Sequence, residues 1–296
     1  MYMLDAPPRP RSGSHPDMPH VDGVTHRDVL VGGVRLHVAE AGEGEPLVLL
    51  HGWPQHWWHW RHLIGPLAER YHVIAPDWRG LGWSEVPASG FSLWDLRDET
   101  LGLLDALGLD RVRVVGQDWG NIVGYLIGLE QPERLERFVA LGGVHPWSAI
   151  GSTPLIFLRP WHIYLLASPA GARFARRLPP FLLRYWRGRG TYTPDEIRTY
   201  TAQFGRAGTI SATRQRYRSI LLREVPWFVR NQRRLRLTVP TLALDGDADP
   251  LTEGVPDSWQ SFTDAMQWHV LSGVGHFPAE EAPEETTLQI LEFMEA

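Results

Sequence analysis

His26 to Leu30 and Val34 to Ala39 alternate apolar with polar positions around Gly32-Gly33, and this period of two predicts a hairpin. Beyond it the pattern changes. Pro46 to Leu50, His72 to Pro76, Arg111 to Val115 and Phe138 to Leu141 are short, largely apolar runs, as expected of strands covered on both faces. Amphipathic stretches separate them: an aromatic one from Trp57 to Glu69, one opened by Ser92 with Asp95 three residues on, and one from Ile122 to near Gln131-Pro132. Strands alternating with helices predict an α/β fold with a mostly parallel, doubly wound sheet.

From about Pro146 to Arg234 the alternation stops. Pro, Trp and Arg become frequent and the periodicity turns helical at Ile210, Tyr217, Ile220 and Leu221, which predicts an inserted helical cap. Thr241 to Leu244 and Trp268 to Leu271 resume the strand pattern, with a last helix near Pro283 to Met294. The expected organisation is a disordered Pro-rich lead over 1–22, a first core part over 23–145, the cap over 146–234 and a second core part over 235–296.

Charge sharpens this division. Net charge is -5, yet Ile150 to Arg236 holds seventeen Arg against Asp195, Glu196 and Glu224, so that segment carries about +14 and the remainder about -19. A basic body packed on an acidic one is the simplest expectation. No zinc spacing, helix-turn-helix pattern or aromatic-basic interleaving points to nucleic acid. The 296 residues include no Cys and no Lys, which excludes thiolate and Schiff-base chemistry and Cys-ligated metal. The first twenty residues lack the apolar centre of a signal peptide and no apolar run approaches a membrane span, so a cytoplasmic protein is expected. His56, His59 and His62 recur every three residues, but no carboxylate completes a metal set, and a wet helix face is expected there. Asp245-Gly-Asp-Ala-Asp lacks the downstream spacing of a calcium loop.

The chemistry centres on Gly116-Gln117-Asp118-Trp119-Gly120, where an apolar run meets a helix. Such a turn pushes its middle residue out over the sheet edge, and small neighbours let the backbones close in. A carboxylate there is a poor nucleophile toward esters but can displace a leaving group from an sp3 carbon, giving an alkyl-enzyme ester. Hydrolysing that ester calls for a base, and the base for an orienting acid.

With His51-Gly52-Trp53-Pro54, Gly246-Asp247-Ala248-Asp249 and Gly275-His276-Phe277 in order around it, the elbow resembles that of the α/β-hydrolase superfamily, and within it the epoxide hydrolases, over nearly all of residues 25–296. The resemblance implies Asp118 as nucleophile, His276 as base and Asp249 as its acid, with the Trp53 and Trp119 amides as oxyanion donors and the bond before Pro54 often cis. It implies two cap donors for the epoxide oxygen. One resembles Tyr217, whose flanking Arg216 and Arg218 would favour negative charge on the phenol. For the other, His162 and Tyr164 lie two apart on a helix and diverge by about 200°, so only one can face the site; lining up the following Leu-Leu-Ala-Ser-Pro with the family's Trp-Tyr-Gln pattern implies His162 in preference to Tyr164. Trp53, Trp119, Tyr164 and Phe277 are expected to line the substrate pocket. No cofactor and no metal is implied, and the substrate is a small hydrophobic epoxide converted to a vicinal diol. The sequence leaves oligomeric state open, a homodimer included. The rival within the superfamily is a haloalkane dehalogenase, with Trp119 and a cap Trp such as Trp161 or Trp186 holding halide. The rival outside enzymology is a ligand-binding pseudoenzyme, which has no chemical need for Asp118, Asp249 and His276 together.

Overall fold

The computed structural model describes residues 17–296 except 144, 149, 151–157, 187, 191 and 252–257. The expected lead therefore lies, as far as residue 16, outside the described residues; of its last part, Met18 and Val21 pack on the core. Eight strands make one sheet: β1 (Thr25–Val31), β2 (Val34–Ala41), β3 (Glu45–Leu50), β4 (Tyr71–Pro76), β5 (Val112–Gln117), β6 (Leu135–Leu141), β7 (Thr241–Gly246) and β8 (Met266–Leu271). Their order is β1-β2-β4-β3-β5-β6-β7-β8, antiparallel across β1, β2 and β4 and parallel from β4 onward.

Helices cover both faces of this sheet because successive side chains of a strand point opposite ways. Val48, Leu50, Val114, Phe138 and Ala140 pack with α2 (Leu93–Leu107) and α3 (Trp119–Glu130), whereas Leu47, Leu49, Val115, Val139 and Leu141 pack on the other face. There they meet α1 (Arg61–Ala68), which follows a 3₁₀ turn over Trp57–Trp60, and the C-terminal helix described below. Ser92 and Asp95 close a capping box at the start of α2, as their spacing predicts.

Between β6 and β7 the described residues are helical: α4 (Trp161–Ala167), α5 (Gly171–Phe174), α6 (Leu178–Tyr185), α7 (Pro194–Ala202), α8 (Thr209–Ser219) and α9 (Val225–Asn231). A π-helical turn over Ile220–Glu224 separates α8 from α9. After β8 come α10 (Pro278–Glu281) and α11 (Pro283–Glu295).

The helical insert is fastened to the core by polar contacts that charge counting does not anticipate. Arg61 donates to Glu196 on α7 and to Glu280 on α10, at 2.7 and 2.6 Å. Gln203 bridges Pro54 O and Gly82 N, at 2.7 Å each. Arg206 donates to the carbonyl oxygens of Gly82 and Ser84, and Arg216 to those of Phe91 and Arg79. Arg189 pairs with Glu285 at 3.4 Å, the sense expected of a basic segment on an acidic body, but Arg61 with Glu196 runs the opposite way. One reading is corrected: His56 and His59 are fully buried rather than on a wet face. The insert covers them, Tyr200 lying 5.1 Å from the His56 ring, and burial lowers both pKa values, that of His56 to about 4. His62 is exposed.

Candidate active site

The carboxyl ends of β3, β5, β7 and β8 converge where the strand order reverses, the usual crevice of an open α/β sheet. Asp118 links β5 to α3 with φ 52° and is the one non-glycine residue at positive φ among those described. Such a backbone is strained for an L residue and persists because its surroundings leave no alternative. The glycines around it are sterically required. A Cβ on Gly120 would lie 1.9 Å from Leu50 O, one on Gly116 2.5 Å from Gly120 O, and one on Gly52 2.4 Å from the Asp118 Cβ.

The bend aims the carboxylate at two groups. The Trp53 amide, just after β3 and before a cis bond to Pro54, donates to Asp118 Oδ2 at 3.0 Å. Asp118 Oδ1 lies 3.8 Å from His276 Nε2, too far for a hydrogen bond, and that nitrogen has no protein partner. Trp119 opens α3, so its amide is one of those for which a helix supplies no internal acceptor.

His276 follows β8 and is fully buried. Its Nδ1 meets Asp249 Oδ2 at 2.8 Å, while Asp249 Oδ1 accepts from Leu251 N at 2.8 Å. The backbone of His276 is held as well, its N donating to Trp186 O on the insert and its O accepting from Gln117 Nε2. Of three acids near the end of β7, Asp249 is the one against the imidazole. Asp247 accepts from Gly273 N at 2.6 Å, and buried Asp245 takes bonds from the Gly142 and Gly143 amides, with burial and Asp249 holding its carboxyl far above the usual range. Burial opposes charging His276, but Asp249, followed by Asp118, outweighs it and pushes the imidazole up to about 10.

This shift has a consequence for stability. The folded value stands above the ordinary value of 6.5, so the contribution is fully present below pH 6.5 and is lost as pH rises through about 10. Asp249→Asn should flatten that slope. Denaturant midpoints taken at intervals between these limits check it, and an unchanged slope would show that the pair does not couple to folding.

The insert closes the site from above. Tyr217 on α8 is buried with its ring 5.3 Å from Trp53 and 5.1 Å from Trp119, and His162 on α4 lies 5.6 Å from Tyr217. A cavity of about 210 Å³ lies beneath, lined mainly by apolar groups together with Asp118, Trp119, His162 and Tyr217. Burial lowers the His162 pKa to about 3, so its imidazole is neutral and keeps one N–H. Burial, then Asp118, raise the Tyr217 pKa well above its ordinary value against the opposing effect of Arg216. Arg216 thus favours negative charge on the phenol, as expected of a flanking Arg, but burial and Asp118 outweigh it. Arg218 is exposed, and the buried Arg216 guanidinium lies over the Trp119 ring at 4.5 Å.

Three residues expected to line the pocket do not. Tyr164 is 39% exposed on the far side of α4, which places His162 inward, as the 200° divergence requires. Phe277 packs behind His276, ring to ring at 5.0 Å, and the Trp53 side chain lies under Trp119, Tyr217 and His162, outside the lining. Sequence reasoning weighed Trp186 only as a halide donor and missed its place beside His276, where its ring stands 5.2 Å away and its carbonyl accepts from His276 N; it missed Glu224, which lines the cavity. Glu224 had one faint signal, being one of three acids in an Arg-rich stretch.

Residues 45–283 match the family model described as alpha/beta hydrolase fold. The chain is 30% identical over 274 residues to the soluble epoxide hydrolase of Corynebacterium sp. (strain C12), covering 88% of this chain and 94% of the relative. It is 32% identical over 321 residues to epoxide hydrolase A of Mycobacterium tuberculosis (strain ATCC 25618 / H37Rv), covering 91% and 97%. Among solved structures, a Salmonella enterica protein provisionally described as an acyltransferase superposes with a TM-score of 0.85 at 27% identity, covering 94% of this chain and 97% of that one. The chain belongs to the α/β hydrolases and, within them, to the epoxide hydrolase family. Among the described residues no helix is long and apolar enough to cross a membrane.

Proposed function

We propose that this hydrolase opens a small hydrophobic epoxide to a vicinal diol through an ester on Asp118. The observation that carries the reading is the carboxylate on its strained bend, one oxygen held by Trp53 N and the other toward a histidine backed by Asp249. Acyl transfer at such an elbow would want a hydroxyl or thiol nucleophile, and Asp118 supplies neither.

In the first step Asp118 Oδ1 forms a bond to one epoxide carbon as its C–O bond breaks, and Tyr217 and His162 donate to the departing oxygen. Both are neutral donors, in keeping with their buried positions. Forming the ester cancels the Asp118 charge 3.8 Å from Nε2, which lowers the proton affinity of His276; its imidazolium proton passes through water to the alkoxide freed by ring opening, and a neutral base remains. Water then gives a proton to Nε2 and attacks Cγ. Charge on Oδ2 is met by the Trp53 and Trp119 amides, the Cγ–Oδ1 bond breaks, and Nε2 returns the proton to Oδ1. The diol leaves with the original Asp118 oxygen, while the remaining water proton passes from the new carboxyl to His276. Residues 146–234 act in this scheme as a cap supplying both donors.

Styrene oxide and a bromoalkane, supplied separately, test the reading. Diol from the first without bromide from the second is the expected result, and Tyr217→Phe should slow diol formation by about a hundredfold, the loss typical of one transition-state donor. Bromide release without diol would move the chain to the dehalogenases. Trp161, one of the two cap Trp suited to halide, is 38% exposed and outside the cavity lining.

A further inference from the structure

Glu224 ends the π-helical turn between α8 and α9 and is 1% exposed, yet its side chain lines the cavity. Its Oε1 is engaged, accepting from Ser219 Oγ at 2.8 Å and from Leu93 N at 3.2 Å. Its Oε2 is buried without a partner. A buried carboxyl oxygen left unpaired is costly, and such an atom in a mainly apolar cavity is a fixed point waiting for a donor. The same helical face carries Phe228, also in the lining, and Gln232, whose Oε1 is likewise buried and unpaired. Glu224, Phe228 and Gln232 recur every four residues, so their side chains share one wall. Turns of this type interrupt helices mostly at functional sites, and here the extra residue sits beside the one acid of the wall.

Resting on the epoxide reading, we infer that Glu224 Oε2 is a distal subsite that selects epoxides carrying a hydroxyl at the end remote from the ring. A hydroxyl suits this oxygen in either protonation state, donating to a carboxylate or accepting from a carboxyl. A hydrocarbon terminus leaves it bare. The groups facing the Glu224 carboxyl are Ser219, its own amide, the Leu93 amide and, electrostatically, Arg223. None of them satisfies Oε2.

The test is a ladder of terminal 1,2-epoxyalkanes of five to nine carbons, each paired with its ω-hydroxy counterpart, with kcat/KM measured for both members. One length should show the hydroxyl member favoured by about tenfold, the net value of a hydrogen bond to a charged or polar partner. Glu224→Leu should bring that ratio to one or below, and Glu224→Gln should keep most of it. Because the readout is a ratio within each variant, any loss of folded protein cancels. Turnover of both series with no preference at any length would overturn the subsite alone, as would a Glu224→Leu enzyme that keeps the wild-type ratio. Turnover of neither series would overturn the epoxide reading together with the subsite.

Discussion

Asp118→Ala is expected to stop diol formation, with a fall in kcat of about 10⁴ or more, the scale seen when a nucleophile is removed and only the surrounding donors remain. Neither buried acid at the end of β7 can stand in. Asp249 is bonded to His276 and Leu251, and Asp245 is tied to backbone amides, with burial and Asp249 raising its pKa well above the usual carboxylate range. Near-ultraviolet circular dichroism separates this loss from misfolding, since alanine must also adopt φ near 52° at the bend. A companion measurement follows the oxygen. One turnover by wild-type enzyme in ¹⁸O water should place the label in the peptide carrying Asp118, because water attacks Cγ and not the epoxide carbon. Label found only in the diol after a single turnover would mean direct attack by water, and the covalent scheme would fail.

The second large effect belongs to His276→Gln. Glutamine cannot take the proton from water, so ester hydrolysis should slow by about 10³, within the range for a positioned general base. Alkylation should survive, since it asks only for an ionised Asp118 and the donors Tyr217 and His162. The signature is a burst of one equivalent of epoxide consumed, with protein mass raised by the mass of the epoxide and the adduct on Asp118. Slow linear turnover without adduct would place His276 outside the deacylation step.

The middle of the sheet was readable in the sequence because β3 to β7 are largely buried on both faces and their apolar runs are nearly continuous, whereas β1 and β8 at its edges are in good part exposed. The elbow was readable for a steric reason, since backbone oxygens 1.9 and 2.5 Å from notional Cβ atoms at Gly120 and Gly116 leave glycine as the residue that fits. Asp249 and His276 could be placed because each follows a strand end within one family motif. What escaped depends on contacts between segments far apart in the chain. His56 and His59 look like a wet face until the insert covers them, and the neutrality of Tyr217 follows from burial and Asp118, not from its neighbours Arg216 and Arg218. Glu224 escaped because nothing local distinguishes an acid that lines a cavity from one in water.

The insert is joined to the loop that bears His276 as firmly as to the sheet. Trp186 O accepts from His276 N, the Gly188 and Arg189 amides both donate to Glu281, and Arg61 spans Glu196 and Glu280. Exchanging this segment with that of another α/β hydrolase is therefore no cassette swap. A donor segment whose backbone does not bring a carbonyl to the place of Trp186 O, or the paired amides to Glu281, would arrive with a new pocket and leave the loop of the imidazole without its backbone anchor, so chimeras need their crossover points moved to take the 275–281 loop along with the helices.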